Sequence, residues 1–383
     1  MSFNPFHQNP DYTLTQKLGG VTWGLVLIVC TLAGIGCTML YSAASGAWEP
    51  WAKDQALRFG VGFFGMMAVA LIDVRVWFRW AWVIYALAVG LLVATEVGGV
   101  TGQGAQRWID LKVIQLQPSE LMKVALVLAL ARYFHGLSEE EVARPTRLIA
   151  PLLAVAVPVG LVMQQPDLGT GLILLMIAGA VFFAAGVRLW KFGVVIGAGI
   201  VSIPIAWQFL HAYQKERVLT FLNPQNDPLG DGYHILQSKI ALGAGGLFGK
   251  GFLEGTQSHL NFLPEKQTDF IFTMLAEEFG MAGGLALLGL YAVVLLYGLA
   301  IGMRAHNHFG RLLALGLTVN IFLYVFLNIA MVMGVIPVVG VPLPLISYGG
   351  TAMLAMLGTL GLLMSVHVHR DVRIPRRGLE DEQ

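Results

Sequence analysis

What most constrains this chain is a succession of apolar runs, each long enough to cross a bilayer. A hydrocarbon core of roughly 30 Å needs about 20 mostly apolar residues in helix. Such runs lie near residues 21–42, 56–72, 80–95, 119–134, 148–163, 168–187, 192–210, 270–303, 312–336 and 345–366. Backbone polar groups in hydrocarbon must be satisfied internally, so runs of this kind form helices. The expectation is an all-α, polytopic integral membrane protein of about ten transmembrane helices, organised as a single transmembrane domain over 1–383. Only 12% of residues are charged, against roughly 25% in a soluble domain. The net charge of +1 leaves no basic face and excludes nucleic acid as a partner. Cys30 and Cys37 lie at i and i+7 of one run, about 10 Å apart along a helix, too far to bridge.

The short loops set an orientation. Arg75 and Arg79, Arg144 and Arg147, Arg188 and Lys191, Arg304 and Arg311, and the cluster Arg370, Arg373, Arg376 and Arg377 fall on one side if the spans alternate. The positive-inside rule makes that side the cytoplasm. The tails 1–18 and 368–383 are then cytoplasmic. The large loop 211–268, between the seventh and eighth spans, is extracytoplasmic, as is the loop 96–118.

Charges at the outer ends of the spans are the candidates for chemistry, because an unpaired charge there costs several kcal/mol. Glu265 and Asp269 lie in the stretch Pro264-Glu265-Lys266-Gln267-Thr268-Asp269-Phe270-Ile271-Phe272, where the large loop meets the eighth span. Thr268 or Asp269 either caps that helix or Asp269 does chemistry, and one residue can do both. Glu120 and Lys123 open the fourth span at i and i+3, so they share a face and can pair; alternatively, Lys123 receives an anion. Arg107 stands beside Trp108 in the outer loop, meeting either lipid headgroups or a diphosphate, onto which a guanidinium can fork. Asp167 sits in a short outer turn, as the cap of the sixth span or as part of the site. The large loop contributes Arg217 and Lys239, and Ser347 lies in the Pro- and Gly-rich mouth of the last span.

No nucleotide site is legible. Gly243-Ala244-Gly245-Gly246-Leu247-Phe248-Gly249-Lys250-Gly251 looks like a phosphate cradle, but Ala244 and Gly251 replace the first Gly and the Ser or Thr of a P-loop. The stretch reads either as tight turns or as a backbone nest for a lipid diphosphate. No two His residues have metal-ligand spacing on one helix.

The motifs Gly104-Ala105-Gln106-Arg107-Trp108, Gln117-Pro118-Ser119-Glu120, Gln165-Pro166-Asp167-Leu168-Gly169, Asn261-Phe262-Leu263-Pro264-Glu265 with Thr268-Asp269-Phe270-Ile271-Phe272, and Pro342-Leu343-Pro344-Leu345-Ile346-Ser347-Tyr348-Gly349-Gly350 resemble those of the SEDS family (shape, elongation, division and sporulation). They occur in the family's order, and the resemblance covers nearly the whole chain. The elongation branch is the closer match; Gln267 stands where relatives often carry His. The resemblance implies a peptidoglycan glycosyltransferase in the bacterial cytoplasmic (inner) membrane. Its substrates would be lipid II and the nascent lipid-linked glycan. It would work with a class B penicillin-binding protein, with other cell-elongation proteins as further candidates. Asp269 would be the catalytic residue. Arg107, Glu120, Lys123, Asp167, Arg217, Lys239, Glu265 and Ser347 would bind substrate, and a divalent cation (Mg or Mn) is a candidate cofactor, with no nucleotide. A lipid II flippase and a non-catalytic scaffold for the penicillin-binding protein are the alternatives.

Overall fold

The computed structural model describes residues 12–102, 105–110, 115–209, 215–216, 219–221, 223, 231–259 and 265–375. Among the described residues, ten helices of 17 to 34 residues follow one another, six of them long and apolar enough to cross a membrane: α2 (Trp23–Ala43), α3 (Trp51–Leu71), α4 (Val74–Gly98), α5 (Pro118–His135), α7 (Pro145–Gln164), α8 (Leu168–Ala184), α9 (Leu189–Phe209), α12 (Ile271–Arg304), α13 (His308–Val332) and α14 (Gly350–Val368). Shorter helices α1 (Leu14–Gly19), α6 (Glu139–Ala143), α10 (Asp231–Ala244) and α11 (Thr256–His259) lie between them. Each of the ten runs expected from the sequence has its helix.

Charge placement separates inner helices from outer ones. Helix α5 carries Glu120, Lys123 and Arg132, yet it is buried along nearly its whole length, packed by α4, α7, α8, α13 and α14. Protein therefore supplies the partners that lipid could not. Helices α13 and α14 are buried over most of their length as well, whereas α4 and α9 turn broad apolar faces outward.

Two segments depart from helix at membrane depth. The first is a break inside α12 at Gly280, with φ 68° and ψ −166°, a region essentially reserved for glycine. The Gly-rich stretch read as a possible phosphate cradle fills this break. The N–H groups of Lys250 and Gly251 donate to the carbonyls of Glu277 and Glu278 at 3.0 Å each, and those of Met281 and Ala282 donate to Gly246 and Leu247 at 2.9 and 3.0 Å. The side chain of Glu277, fully buried, accepts from Lys250 Nζ (2.8 Å) and the Gln257 N–H (2.9 Å). These amides are engaged by protein carbonyls, so the tight-turn reading describes the stretch and the diphosphate nest does not.

The second segment, residues 333–349, joins α13 to α14 without helix, and Val341, Leu343, Leu345, Ile346 and Ser347 in it are buried. Side chains from neighbouring helices satisfy its carbonyls: Asn328 donates to Val341, Tyr291 to Pro344 and Gln55 to Ser347. Irregular backbone survives at this depth only when protein provides such partners. The last helix therefore starts at Gly350, five residues later than the apolar run suggests.

The loop after α4 forms a small antiparallel sheet, β1 (Val100–Gly102), β2 (Ala105–Asp110) and β3 (Gln115–Leu116), in that order. At the other end of the bundle the segment before α1 meets the segment after α14, with Tyr12 Oη donating to Asp371 Oδ2 at 3.5 Å.

Candidate active site

A cavity of about 300 Å³ opens at the end of the bundle that carries the small sheet, and Arg107, Glu120, Lys123, Asp167, Glu265 and Asp269 all line it. Four segments far apart in sequence thus bring six ionisable side chains together.

The first turn of α5 provides two of them. Lys123 Nζ lies 2.8 Å from Glu120 Oε1, as the i, i+3 spacing predicts. Tyr324 of α13 completes a triangle, its hydroxyl hydrogen-bonded to both Glu120 and Lys123, with the ammonium 4.3 Å from the ring centroid. Lys123 is only 2% exposed and Glu120 6%. Mutual pairing is what holds two charges at this depth.

Strand β2 aims Arg107 at the turn between α7 and α8. Its Nε and Nη2 donate to the carbonyls of Gln165 (3.1 Å) and Pro166 (2.8 Å), and Nη1 lies 3.7 Å from Asp167 Oδ2. Asp167 is the N-cap of α8, accepting from the Thr170 N–H at 3.1 Å. It also faces the cavity, so the two readings of this residue coexist. Arg107→Ala removes a guanidinium whose charge-assisted bonds are worth roughly 1.5–3 kcal/mol each. The expected result is turnover slowed about tenfold or more, measured on folded protein because the Gln165 and Pro166 carbonyls also lose their donor. Unchanged turnover would remove Arg107 from the site.

Asp269 closes the other side. Residues 265–270 form a tight turn, with Thr268 Oγ1 donating to Glu265 Oε2 at 2.7 Å. The N-cap of α12 is Phe270, with no side-chain cap, so neither Thr268 nor Asp269 occupies the cap position. The last-span mouth holds the turn instead: Ser347 Oγ donates to the Thr268 carbonyl (2.6 Å), and the Tyr348 N–H to that of Gln267 (2.8 Å). Just beyond the turn's cavity side, Gly340 has φ 72°, and a Cβ there would come within 3.5 Å of Asp269 Oδ2. Burial also pushes the Lys266 ammonium below the usual lysine range.

Asn328 of α13 ties the two walls together, its amide donating to the carbonyls of Asp269 (2.9 Å) and Val341 (2.7 Å). Asn328→Leu withdraws both donors, at about 1–3 kcal/mol per buried carbonyl left unpaired. A displacement of about 1 Å at a reacting group can cost roughly a hundredfold in rate. The variant is therefore expected to melt at lower temperature and to lose most of its turnover, as thermal denaturation and a turnover assay of the same sample would show.

Other residues expected at the site lie elsewhere. Ser347 does not line the cavity, and its hydroxyl also accepts from the Leu343 N–H, so it is a staple of the last-span mouth. Lys239 sits on α10, its side chain against Gly334. Arg217 lies outside the described residues. Among the described residues no three His, Cys, Asp or Glu side chains are grouped as metal ligands, while Glu120 and Asp167 are engaged by Lys123 and Arg107. The described side chains thus do not make up a divalent-cation site.

Sequence reasoning missed Tyr324 and Asn328. With Asn320 they recur every fourth residue along one face of an apolar span, a polar stripe that marks a helix facing protein or a cavity.

The sequence profile of the cell cycle protein family FtsW/RodA/SpoVE matches residues 23–372. The chain is 43% identical over 357 residues to the peptidoglycan glycosyltransferase MrdB of Escherichia coli (strain K12), covering 91% of this chain and 95% of that protein. It is 36% identical over 356 residues to the stage V sporulation protein E of Bacillus subtilis (strain 168), covering 89% and 95%. Among solved structures, a chain from work on structural coordination of polymerization and crosslinking by a peptidoglycan synthase complex superposes with a TM-score of 0.81 at 34% identity, covering 91% of this chain and 98% of that one. The crystal structure of the Thermus thermophilus rod shape determining protein RodA gives 0.70 at 28% identity, covering 94% and 99%. With its multi-pass architecture and its ordered motifs, the chain belongs to the FtsW/RodA/SpoVE (SEDS) family of cell cycle proteins.

Proposed function

We propose that the protein is a peptidoglycan glycosyltransferase that polymerises lipid II by inverting transfer, in support of cell elongation. The observation that carries the chemistry is the placing of the Asp269 carboxylate in one cavity with the cations Arg107 and Lys123. The acceptor is a sugar hydroxyl with a pKa far above neutral, so a base must take its proton as the oxygen attacks. Asp269 takes that proton. The new glycosidic bond forms at the donor's anomeric carbon while the bond to the lipid diphosphate breaks. The leaving diphosphate carries off the electron pair, and Arg107 and Lys123 meet its charge. Attack from the face opposite the diphosphate turns an α-linked donor into a β-linked chain.

We further propose that the membrane is the bacterial inner membrane, that both chain ends are cytoplasmic and that the cavity is extracytoplasmic. The cationic short loops support this by the positive-inside rule. A reporter fused after Arg188 or Arg311 is expected to read cytoplasm, and one within 231–259 to read the outside. The reverse pattern would place Asp269 on the wrong surface for lipid-linked substrate. The partner in this reading is a class B penicillin-binding protein that crosslinks the product. Support comes from the structural neighbour studied for coordination of polymerization and crosslinking in a synthase complex.

A flippase would need its charged path to continue across the membrane. Past Lys123, residues 124–131 of α5 are all apolar. Vesicles holding the purified protein and fluorescent lipid II test the choice: polymer without faster lipid translocation is expected, and faster translocation without polymer would contradict the proposal.

A further inference from the structure

A second cavity, of about 260 Å³, lies at the end of the bundle opposite Asp269, where α2, α12 and α14 meet. Asp269 lies two residues before the first residue of α12 and Arg304 is its last, which fixes the opposition. The wall is apolar and comes from α12: Val293, Leu296, Tyr297, Ala300 and Ile301. Tyr297 closes the inner side against α2, with its hydroxyl 2.3 Å from where a Cβ on Gly24 would stand. At the mouth stand Arg304 and His367, and Arg370 Nη1 is 3.3 Å from His367 Nε2. Arg304 is exposed and has no ion-pair or hydrogen-bond partner among the described residues.

The groove's length suits one kind of occupant. Val293 and Arg304 are eleven residues apart, about 16 Å at 1.5 Å per residue. That is about half of a roughly 30 Å hydrocarbon core, the depth of one leaflet. A slot of one-leaflet depth, apolar along its wall with a guanidinium at its mouth that is exposed and unpaired among the described residues, matches an acyl chain joined to a phosphate. Basic pockets between membrane helices take anionic headgroups in this way, and a guanidinium forks onto phosphate oxygens where an ammonium meets them as a point charge. A zwitterionic lipid would bring its own cation to the same mouth and so gain less from Arg304.

We propose that this groove binds one anionic phospholipid from the leaflet opposite the catalytic cavity, with an acyl chain along Val293 to Ile301 and the phosphate on Arg304. The site is separate from the proposed reaction, so its test does not depend on polymerisation.

The full chain, purified in a zwitterionic detergent and mixed with phosphatidylglycerol or phosphatidylcholine, can be read by native mass spectrometry for retained lipid. One phosphatidylglycerol is expected to be held about tenfold more tightly than phosphatidylcholine, the return of a charge-assisted contact. Arg304→Gln should remove that preference. Ala300→Trp should remove retention by filling the groove, with Val293→Phe as a second blocking variant should the first fail to fold. Arg311→Gln, an exposed cation at the same end of the bundle, should change nothing. Equal retention by Arg304→Gln and the wild type would overturn the proposal. So would an equal loss in Arg311→Gln, which would mean diffuse surface charge. Displacement by excess inorganic phosphate, with both blocking variants still retaining lipid, would mean a phosphate site with no acyl groove and would overturn it too.

Discussion

Gly280→Ala is expected to strip most folded protein from the membrane. At φ 68° and ψ −166° a residue with a Cβ is strained by about 1–3 kcal/mol. The added methyl would also stand 2.3 Å from the Gly249 nitrogen and 2.6 Å from the Leu247 carbonyl oxygen. Both contacts are backbone, so relief requires moving the whole loop, and overpacking of this kind costs about 1–3 kcal/mol more. That movement would also pull on the four hydrogen bonds joining the loop to α12. The sum is a large share of the roughly 5–15 kcal/mol that holds a typical domain together. Gly289 lies on the same helix with nothing within 4 Å of its Cβ position, so Gly289→Ala is the matched control, expected to be neutral or slightly stabilising. Membrane abundance and thermal melting of the two variants provide the check. Wild-type behaviour of Gly280→Ala would mean that the break in α12 does not persist in the bilayer.

The break shows where sequence stops being informative. The ten spans were legible because hydrophobic length is a local property, readable without knowing any neighbour. The Glu120–Lys123 pair and the Asp167 cap were legible too, since each is made within one helical turn. Gly280 itself looks like any glycine in an apolar run. What makes it a break is the stretch near Gly249, some thirty residues earlier, whose backbone must approach it. The start of α12 misleads for the same reason. Thr268-Asp269 has the composition of a cap, but hydrogen bonds from Ser347 and Tyr348, about eighty residues on, hold the turn in a different form. Six residues expected at the site converge on one cavity because they sit at span ends on the same surface. Ser347 belongs to the same region, yet its hydroxyl is used on backbone. Tyr324 and Asn328 carried the one signal that was available and overlooked, a polar stripe on an apolar helix.

Asp269→Asn tests the proposal that the Asp269 carboxylate is the base for glycan polymerisation, with little confounding from folding. Asn has the shape of Asp and caps helices about as well, and Asn328 holds the backbone carbonyl, which the substitution leaves in place. The variant should therefore reach the membrane at wild-type level and melt near the wild-type temperature. An amide cannot accept the acceptor's proton, and losing a general base typically costs about 10² to 10⁴ in rate, equivalent to roughly 3–5 kcal/mol of barrier. Asp269→Glu keeps the charge but moves it by about one methylene, so it should be slow as well. Glu265→Gln supplies the control, since Glu265 lines the same cavity four residues away. The measurement is glycan chain formation from lipid II by purified wild type, Asp269→Asn and Glu265→Gln, each first shown to be folded. Polymer is expected from the wild type, background only from Asp269→Asn and substantial polymer from Glu265→Gln; normal polymerisation by a folded Asp269→Asn protein would mean that Asp269 is not the base.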